Sequence, residues 1–433
     1  MRHIAVVGAG AAGLSTAWLL SRRYRVTLYE ADQRLGGHAN TVEVKDEAGS
    51  VAVDTGFIVY NEPTYPNLTA LFRHLEVATE ASDMSFAVSL DAGRLEYAGA
   101  DNLGALFAQR SNLVRPRFLR MLADIVRFYR EATAEDPAAH AHLTLGEYLE
   151  RGGYGTALRD DHVLPMAAAI WSSSVDTILA FPAATFLRFF QNHGLLRVAN
   201  RPRWRTVRGG SREYVKRIEA QLAPGTVRTG AGVVAVTRLD TGVELTLAGG
   251  QRERADGVVF ATHAPQALQA LLDASEEERA VLGAFRTQPN EAILHRDPAQ
   301  MPRRRAAWAS WNYSGQTGRP GSAAASVTYW MNRLQGIVRP DNLFVTLNPL
   351  TPVREDLVLR RFSYQHPIFD RAALDAQGRL GTIQGVRRTW FCGAWQRYGF
   401  HEDALVSALS VAAQLGVQAP WQEQMPAVVA AAA

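Results

Sequence analysis

Three glycines near the amino terminus have the spacing that a phosphate-binding turn requires. Gly8, Gly10 and Gly13 follow an apolar run, residues 4–7, which predicts a buried strand. Gly8 allows the tight turn, Gly10 lets a pyrophosphate approach the backbone, and Gly13 lets the following helix pack on the strand. The free amides at the start of that helix, predicted from about residue 12 to 21, form a site for an anion.

An acidic residue after the next apolar run completes this pattern. Residues 25–29 predict a second strand, and Glu30 follows it, where a carboxylate can accept hydrogen bonds from a ribose diol. Strand, glycines, helix, strand and acid thus arrive in the order of a dinucleotide-binding unit, the alternative being an ordinary glycine-rich turn.

Two further glycine motifs indicate which dinucleotide is bound. The chain continues with Gly36-Gly37-His38 and, after another predicted strand, reaches Asp54-Thr55-Gly56-Phe57-Ile58. Here the sequence resembles the flavin-containing amine oxidase and phytoene desaturase superfamily. The signature of that superfamily is this fingerprint, an acid, a Gly-Gly pair and an Asp-x-Gly turn beside the flavin ring. The resemblance extends over nearly the full length and implies that FAD is the cofactor.

A second strand-to-helix junction lies near the carboxyl terminus. Residues 389–393 predict a short strand ending at Gly393, and the chain is predicted to be helical from Glu402 onward. The resemblance implies that this helix directs its first amides at the pyrimidine edge of the flavin, where its dipole favours negative charge on the reduced ring. A helix that only packs on the core is the alternative. The superfamily usually has an acid after the glycine to hold the ribityl chain, whereas this chain has Ala394, so another group is expected to do so.

The resemblance assigns cofactor-binding residues position by position. They are Gly8, Gly10, Ala11, Ala12, Gly13, Glu30, Ala31, Gly36, Gly37, His38, Gly56, Phe57, Ile58, Val233, Ala261, Thr262, Gly393, Ala394, Asp403 and Ala404.

Six residues are candidates for contact with a substrate. His193 and His401 could move a proton, because an imidazole titrates near neutral pH. The resemblance places Phe400 where amine oxidases have an aromatic wall. Trp171, Tyr313 and Trp330 are expected to line an apolar tunnel. For each of the six, a purely structural role in the core is the alternative.

The order of predicted elements indicates the fold. Strands alternating with helices at both ends of the chain predict an α/β protein with a Rossmann-like FAD-binding domain interleaved with an α+β substrate domain. We assign residues 1–75, 205–265 and 380–420 to the discontinuous FAD-binding domain, and 76–204 and 266–379 to the substrate domain. Residues 421–433 form a tail.

Composition and charge exclude several classes of protein. The single cysteine, Cys392, rules out a disulfide framework and fits a reducing cytoplasm. No run of about 18 apolar residues predicts a membrane-spanning helix. The basic residues form no recognisable nucleic-acid module, so nucleic-acid binding is not expected. No metal site is expected either, and Asp160-Asp161-His162 is predicted to be a solvated helix end.

Arginine dominates the basic residues, since Lys45 and Lys216 are the two lysines among 46. One predicted helix has an apolar stripe flanked by arginines, which predicts a surface helix; contact with an anionic membrane face is the alternative. Its arginines are Arg115, Arg117, Arg120, Arg127 and Arg130. A cytoplasmic location is expected from the single cysteine, and peripheral contact with the inner membrane face is an additional possibility that this helix raises.

Several internal strings, among them Ala169-Ile170-Trp171-Ser172 and residues 192–196, 204–211, 308–313 and 327–332, narrow the resemblance. They are similar to a bacterial branch of FAD-dependent amine-oxidase-like proteins, and to the flavoprotein domain fused to plant cyclopropane fatty acid synthases. This implies an FAD-dependent oxidoreductase that takes a hydride from a lipid acyl substrate, as an oxidase or desaturase. The alternatives are a redox-neutral double-bond isomerase, an amine oxidase, or a non-catalytic flavoprotein partner of a lipid methyltransferase. Amine oxidation is disfavoured, because neither lysine is expected near the flavin.

Overall fold

The computed structural model describes residues 2–47, 49–99, 103–171, 175–197, 201–316 and 326–422. Within these ranges, the α-helices are Ala11–Leu20, Pro66–His74, Leu103–Leu106, Pro116–Ala134, Leu145–Arg151, Thr156–Leu158, Leu164–Trp171, Val175–Leu179, Ala183–Asn192, Arg212–Glu219, Ala264–Ala270, Glu276–Gly283, Met331–Leu334, Arg371–Gln377 and His401–Gln414. Ser172 and residues 423–433 of the predicted tail lie outside the described residues. None of the described helices is both long and apolar enough to cross a membrane.

A parallel sheet, here called the cofactor sheet, organises the predicted FAD-binding segments. Its strands are, in spatial order, Val227–Arg228, Arg25–Tyr29, His3–Val7, Gly257–Phe260 and Thr389–Phe391. All neighbouring pairs are parallel, as expected for a sheet covered on both faces. The fold class predicted from the sequence is confirmed. The domain boundaries at residues 75, 205, 265 and 380 remain a prediction.

Two apolar clusters cover the two faces of the cofactor sheet. One contains Leu14 and Leu405, from the helices Ala11–Leu20 and His401–Gln414, which pack on each other. The other contains Val281 and Phe391. The helix Ala11–Leu20 begins one residue earlier than predicted. Its buried residues include Leu14, Trp18 and Leu19, and Trp18 stacks on Trp421 with ring centroids 5.9 Å apart.

A seven-stranded sheet, here called the substrate sheet, forms one wall of the remaining structure. Its strands are, in spatial order, Val358–Ile368, Arg286–His295, Phe344–Leu347, Ser326–Trp330, Trp311–Gly315, Phe86–Leu90 and Leu95–Gly99. The pairing is antiparallel except between Trp311–Gly315 and Phe86–Leu90. Most of the helices between residues 103 and 192 pack with this sheet in one core.

Three small sheets complete the described structure. They are the hairpin Thr41–Asp46 with Gly49–Asp54, the group Val59–Asn61, Trp204–Val207 and Thr79–Ser82, and the group Val233–Leu239, Gly242–Leu247 and Arg252–Ala255.

Residues 226–236 do not form one continuous strand. The chain instead forms Val227–Arg228 in the cofactor sheet and Val233–Leu239 in an antiparallel sheet. Gly230 lies between them with φ +61°, a left-handed conformation that glycine adopts without strain and that ends the first strand. The strand Ser326–Trp330 ends where Met331 begins a helix.

Candidate active site

A large cavity joins the cofactor sheet to the substrate sheet. Its volume is about 1300 Å³, compared with about 300–1,000 Å³ for ordinary ligand pockets. Residues at the carboxyl ends of the parallel strands line one end, and aromatic residues from helices and the substrate sheet line the other. The size and the two-part lining suit a long cofactor together with a substrate.

The first glycine turn has the geometry that its spacing predicts. Gly8 has φ +98° and donates its amide to the carbonyl of Tyr29 at 2.8 Å. A Cβ added to Gly13 would lie 1.8 Å from the carbonyl oxygen of Gly8, so the helix packs here only without a side chain. A Cβ added to Gly10 would instead meet nothing within 4 Å and Gly10 lines the cavity, so this position keeps the cavity free beside the backbone.

Glu30 lies at the same end of the cavity. One carboxylate oxygen accepts the amide of Ala9 at 2.7 Å, and the other accepts the amide of Asp32 at 2.9 Å. The carboxylate is thus held against the first turn, and each oxygen retains a lone pair for a further donor such as a ribose hydroxyl.

The second glycine pair packs directly against the first glycine turn. Gly36 donates its amide to the carbonyl of Ala9 at 2.8 Å, and a Cβ on Gly37 would lie 3.1 Å from the Cα of Gly10. Gly36 and Gly37 have φ +105° and +56°, so both use conformations that favour glycine. The two glycine motifs therefore form one continuous backbone surface.

Asp54 ties the Asp-x-Gly turn to a distant part of the chain. It is buried, and its carboxylate accepts the amide and the hydroxyl of Ser211, the hydroxyl of Thr41 and the side-chain amide of Gln335. Burial raises the pKa of Asp54 to about 6. The acid is not among the residues that line the cavity, so its part is to hold the turn.

The helix His401–Gln414 begins at the cavity. His401 and Ala404 line it, and the His401 ring stacks on Phe57 with centroids 3.7 Å apart. His401 also lies 3.2 Å from the hydroxyl of Tyr214, and burial lowers its pKa to about 3. The imidazole is therefore neutral at physiological pH and can hydrogen-bond but not carry charge.

The two acids in the first turn of this helix have structural partners. Asp403 accepts the amide of Phe400 at 2.9 Å, and Glu402 accepts the amides of Asn67 and Leu68 and the side-chain amide of Asn67. Burial raises the pKa of Asp403 to about 7 and that of Glu402 above its usual range. Neither carboxylate lines the cavity, in contrast to the assignment of Asp403 as a cofactor ligand.

The strand end before this helix also faces the cavity. Gly393 has φ +154° and donates its amide to the hydroxyl oxygen of Ser407 at 2.8 Å. Ala394 lines the cavity and supplies no acid there.

Aromatic side chains form the opposite end of the cavity. The ring of Phe189 lies 4.0 Å from His193, 4.8 Å from Trp171 and 5.1 Å from Phe400, measured between centroids. His193 is also 3.0 Å from the carbonyl of Phe189, and burial lowers its pKa to about 4. Phe189 did not emerge from the sequence, because helical periodicity alone does not distinguish it from its core neighbours Phe186 and Phe190.

Two of the predicted tunnel residues do not line the cavity. Trp330 packs on Trp308 with ring centroids 5.5 Å apart and donates its ring N–H to Asn342. Neighbouring residues of a strand point to opposite faces, and it is Tyr329 that faces the cavity. Tyr313 is buried in the core, on a strand that packs against the helix Leu164–Trp171. The expectation is therefore wrong for both. Trp311 and Tyr329 take their place, directly opposite each other with centroids 4.9 Å apart.

A buried hydrogen-bond chain behind the cavity was missed. Tyr129 lines the cavity, and its hydroxyl is 3.0 Å from Nε2 of His162, whose Nδ1 is 3.2 Å from the hydroxyl of Tyr97. Tyr97 donates to the carbonyl of Asp161 at 2.7 Å. His162 Nδ1–H therefore donates to Tyr97, and Tyr129 donates to Nε2. The Tyr129 oxygen is left with its lone pairs for a hydrogen-bond donor.

The predicted solvated helix end at residues 160–162 is wrong. Asp161 and His162 are buried in a π-helical turn, Arg159–Val163, a geometry that occurs often at functional sites. Burial lowers the pKa of His162 to about 4. A tyrosine inside an apolar helical stripe, as Tyr129 is, was the available signal, since a buried tyrosine hydroxyl needs a partner.

Most predicted cofactor residues meet at this cavity. Those that line it are Gly8, Gly10, Ala11, Ala12, Glu30, Ala31, Gly37, His38, Gly56, Phe57, Ile58, Val233, Ala261, Thr262, Gly393, Ala394 and Ala404. Gly13, Gly36 and Asp403 support it from behind. The open space at Gly10, the continuous glycine backbone and the carboxylate of Glu30 fit a dinucleotide. Their individual roles remain predictions.

The comparisons with known proteins agree with this arrangement. A family model described as flavin containing amine oxidoreductase matches residues 11–296. A segment of 47 residues is 51% identical to an L-amino-acid oxidase of Bungarus fasciatus, and it spans 11% of this chain and 9% of that relative.

Solved structures with very different sequences share the fold. A fatty acid isomerase from P. acnes that produces CLA has a TM-score of 0.68 at 16% identity, covering 96% of this chain and 99% of that one. A putative protoporphyrinogen oxidase from Exiguobacterium sp. 255-15 has a TM-score of 0.68 at 18% identity, covering 96% and 98%. Cyclohexylamine oxidase from Brevibacterium oxydans IH-35A has a TM-score of 0.64 at 14% identity, covering 96% and 99%.

Proposed function

The chain belongs to the flavin-containing amine oxidoreductase family and is an FAD-dependent enzyme, and from this membership we propose that it oxidises a fatty acyl lipid. Gly10, Gly37 and Glu30 would hold FAD, which would supply the acceptor for a hydride from a carbon of the substrate. The acyl chain is unsaturated, methyl-branched or cyclopropanated, and the electrons pass on to oxygen or a quinone.

The observation that carries this proposal is the lining of the substrate end. Met84, Met166, Ile170, Leu195 and Leu347 line the cavity together with the aromatic residues described above. Apolar side chains of this kind hold an acyl chain by burying it from water, at about 25 cal/mol for each Å². The cavity is also large enough for a chain beside the cofactor.

The charges around the cavity disfavour a cationic amine. The acidic residues lining it in the described chain are Glu30, at the nucleotide end, and Asp83. Asp83 is already occupied, because it accepts the hydroxyls of Ser85 and Ser310 and pairs with Arg333 at 2.9 Å. Neither of the two lysines lines the cavity. Among the described residues, an ammonium group would find no free carboxylate at the aromatic end.

The exposed edge of the cavity instead suits an acidic head group. Arg201 and Arg203 are exposed and line it. Guanidinium groups bind carboxylates and phosphates through paired hydrogen bonds. A free fatty acid or a phospholipid would thus place its anionic end at the arginines and its chain among the aromatic residues.

The protein's own contribution is positioning and exclusion of water. His193 and His401 are neutral and hydrogen-bonded, so they orient groups at fixed nitrogen atoms without adding charge. Phe400 and Phe189 cover the cavity side by side.

The test is an anaerobic visible spectrum of the purified flavoprotein before and after lipid is added. We expect one class among unsaturated, methyl-branched and cyclopropane lipids to bleach the oxidised flavin bands. Ile170→Trp should abolish bleaching by filling the cavity, whereas Val338→Trp, at a side chain that is 98% exposed, should not. Bleaching by amines alone would contradict the proposal.

A second candidate is a redox-neutral double-bond isomerase. The fold that the chain shares with the fatty acid isomerase from P. acnes favours it. It predicts that product chromatography shows a moved double bond while no electrons reach an acceptor. A flavin that no lipid bleaches, with lipids recovered unchanged, would favour a non-catalytic partner of a lipid methyltransferase.

A further inference from the structure

The segment from Arg110 to Ala134, here called the arginine segment, has two different faces. It consists of a 3₁₀ turn, Arg110–Val114, and the helix Pro116–Ala134. Phe118, Met121 and Phe128 are buried in the core on the inner face. The outer face is unpartnered in the described structure.

Large apolar side chains stand in solvent on the outer face. Leu113 is 53% exposed, Val114 79%, Leu119 44% and Val126 60%. Four of the ten large hydrophobic residues that are exposed in the described chain thus lie within one short stretch. Such a concentration marks an interaction site rather than scattered surface residues.

The charge of this segment matches an anionic surface. It contains six arginines and two acidic residues, Asp124 and Glu131, so its formal net charge of +4 equals that of the whole chain. The rest of the protein is therefore neutral in sum, and the positive charge is local.

Several of these arginines are available to a partner. Arg110 and Arg120 are exposed and make no ion pair among the described residues. Arg115 bonds the carbonyl of Arg94, and Arg117 bonds Asp161 at 2.8 Å, which fixes the helix to the π-helical turn. The helix is thus anchored by its own contacts while guanidinium groups remain in solvent.

We propose that the arginine segment docks on the surface of an anionic phospholipid membrane. The exposed apolar residues enter the head-group boundary, and the arginines bind lipid phosphates. A protein partner would not require an apolar stripe flanked by exposed arginines along one helix, whereas an interfacial helix requires both.

The docking face adjoins the cavity. Tyr129 lies on the inner side of the same helix and lines the cavity, so one helix separates the proposed lipid surface from the proposed active site. The docking proposal does not depend on the proposed activity, because its test measures binding alone.

The experiment is flotation of the purified flavoprotein with two kinds of vesicle, pure phosphatidylcholine and phosphatidylcholine containing phosphatidylglycerol. We expect binding to the anionic vesicles alone and its loss in high salt, which screens the arginines. The double variant Arg120→Glu and Arg130→Glu should weaken binding by at least about thirty-fold. Hydrogen exchange should slow at residues 113–126 when anionic vesicles are added.

A matched variant controls for charge. Arg279→Glu with Arg360→Glu makes the same change at exposed positions on other elements and should bind like the wild type. Equal weakening by both variants, equal binding to neutral vesicles, or no vesicle binding at all would overturn the proposal. The last result would leave the face to a protein partner.

Discussion

At the scale of single residues, glycines without a side chain shape the cofactor end of the cavity as much as the side chains around them. Gly13 and Gly56 make room for backbone, since a Cβ on Gly56 would lie 2.2 Å from the carbonyl oxygen of His38. Gly10 instead leaves open space in the cavity for a bound ligand. Because nothing crowds Gly10, a substitution there tests cofactor binding without disturbing the fold.

Gly10→Val should abolish or strongly weaken FAD binding while the apoprotein remains folded, because the added methyl groups occupy the cavity. The ratio of flavin to protein absorbance after purification measures the first effect, and circular dichroism the second. Gly249→Ala is the control, since a Cβ there also meets nothing within 4 Å but lies outside the cavity. A Gly10→Val protein that retains stoichiometric flavin would contradict the assigned role.

Tyr129→Phe should lower the free energy of unfolding by about 1–3 kcal/mol, because it leaves Nε2 of the buried His162 without its donor. Tyr154→Phe should cost less, since its hydroxyl bonds the partly exposed Glu131 and water can replace it. Urea denaturation of the two variants makes the comparison. Equal losses of unfolding free energy in the two variants would show that the hydrogen bond from Tyr129 to His162 contributes no more to stability than the one from Tyr154 to Glu131.

At the scale of elements, the cofactor end was more predictable than the substrate end. Its glycines and apolar runs act over short distances along the chain, so local pattern determines strand, turn and helix. The substrate sheet instead depends on pairings between distant segments, such as Trp311–Gly315 with Phe86–Leu90, which no local pattern indicates. The same limit explains Trp330, since which face of its strand meets the cavity follows from such pairings. Tyr313 shares its face with Trp311 but lies farther along the strand, outside the cavity.

Acids in the first turn of the last helix show another limit. Because they lie next to a cofactor site in the sequence, such carboxylates are predicted to bind the cofactor. Glu402 instead holds the first amides of the helix Pro66–His74, and thereby joins two helices of the cofactor end.

Glu402→Gln should reduce stability by about 1–3 kcal/mol, because an amide group replaces one acceptor oxygen and faces the buried backbone donors. The midpoint of urea unfolding measures this effect. Glu62→Gln, on an exposed acid that pairs with Arg73, should leave the midpoint nearly unchanged. A Glu402→Gln protein as stable as the wild type would show that the contacts contribute little.

At the scale of the whole molecule, many histidines are buried as neutral groups. Burial lowers the pKa to about 4 for His162, His193, His295 and His366, to about 3 for His401, and well below the usual range for His38. Their ordinary pKa in an unfolded chain is about 6.5. Between about pH 4 and 6.5, the unfolded state therefore binds more protons at these residues than the folded state.

The free energy of unfolding should consequently rise with pH between about 4 and 6.5. The stability that the neutral histidines contribute is lost as the pH falls through that window. Asp54 and Asp403 act in the opposite direction, since their pKa values are raised to about 6 and 7, but they are fewer. Urea unfolding at pH 5, 6 and 7 measures the slope. A protein at least as stable at pH 5 as at pH 7 would contradict the prediction.

The order of strands in the cofactor sheet has a consequence for biosynthesis. His3–Val7, made first, is the central strand, but its neighbour Gly257–Phe260 and the edge strand Thr389–Phe391 are made much later. While the ribosome works through the intervening sequence, one edge of the first strand has no partner to pair with. The nascent chain therefore cannot complete this sheet until Thr389–Phe391 has been translated, and until Gly257–Phe260 is made an unpaired strand edge is open to wrong pairing.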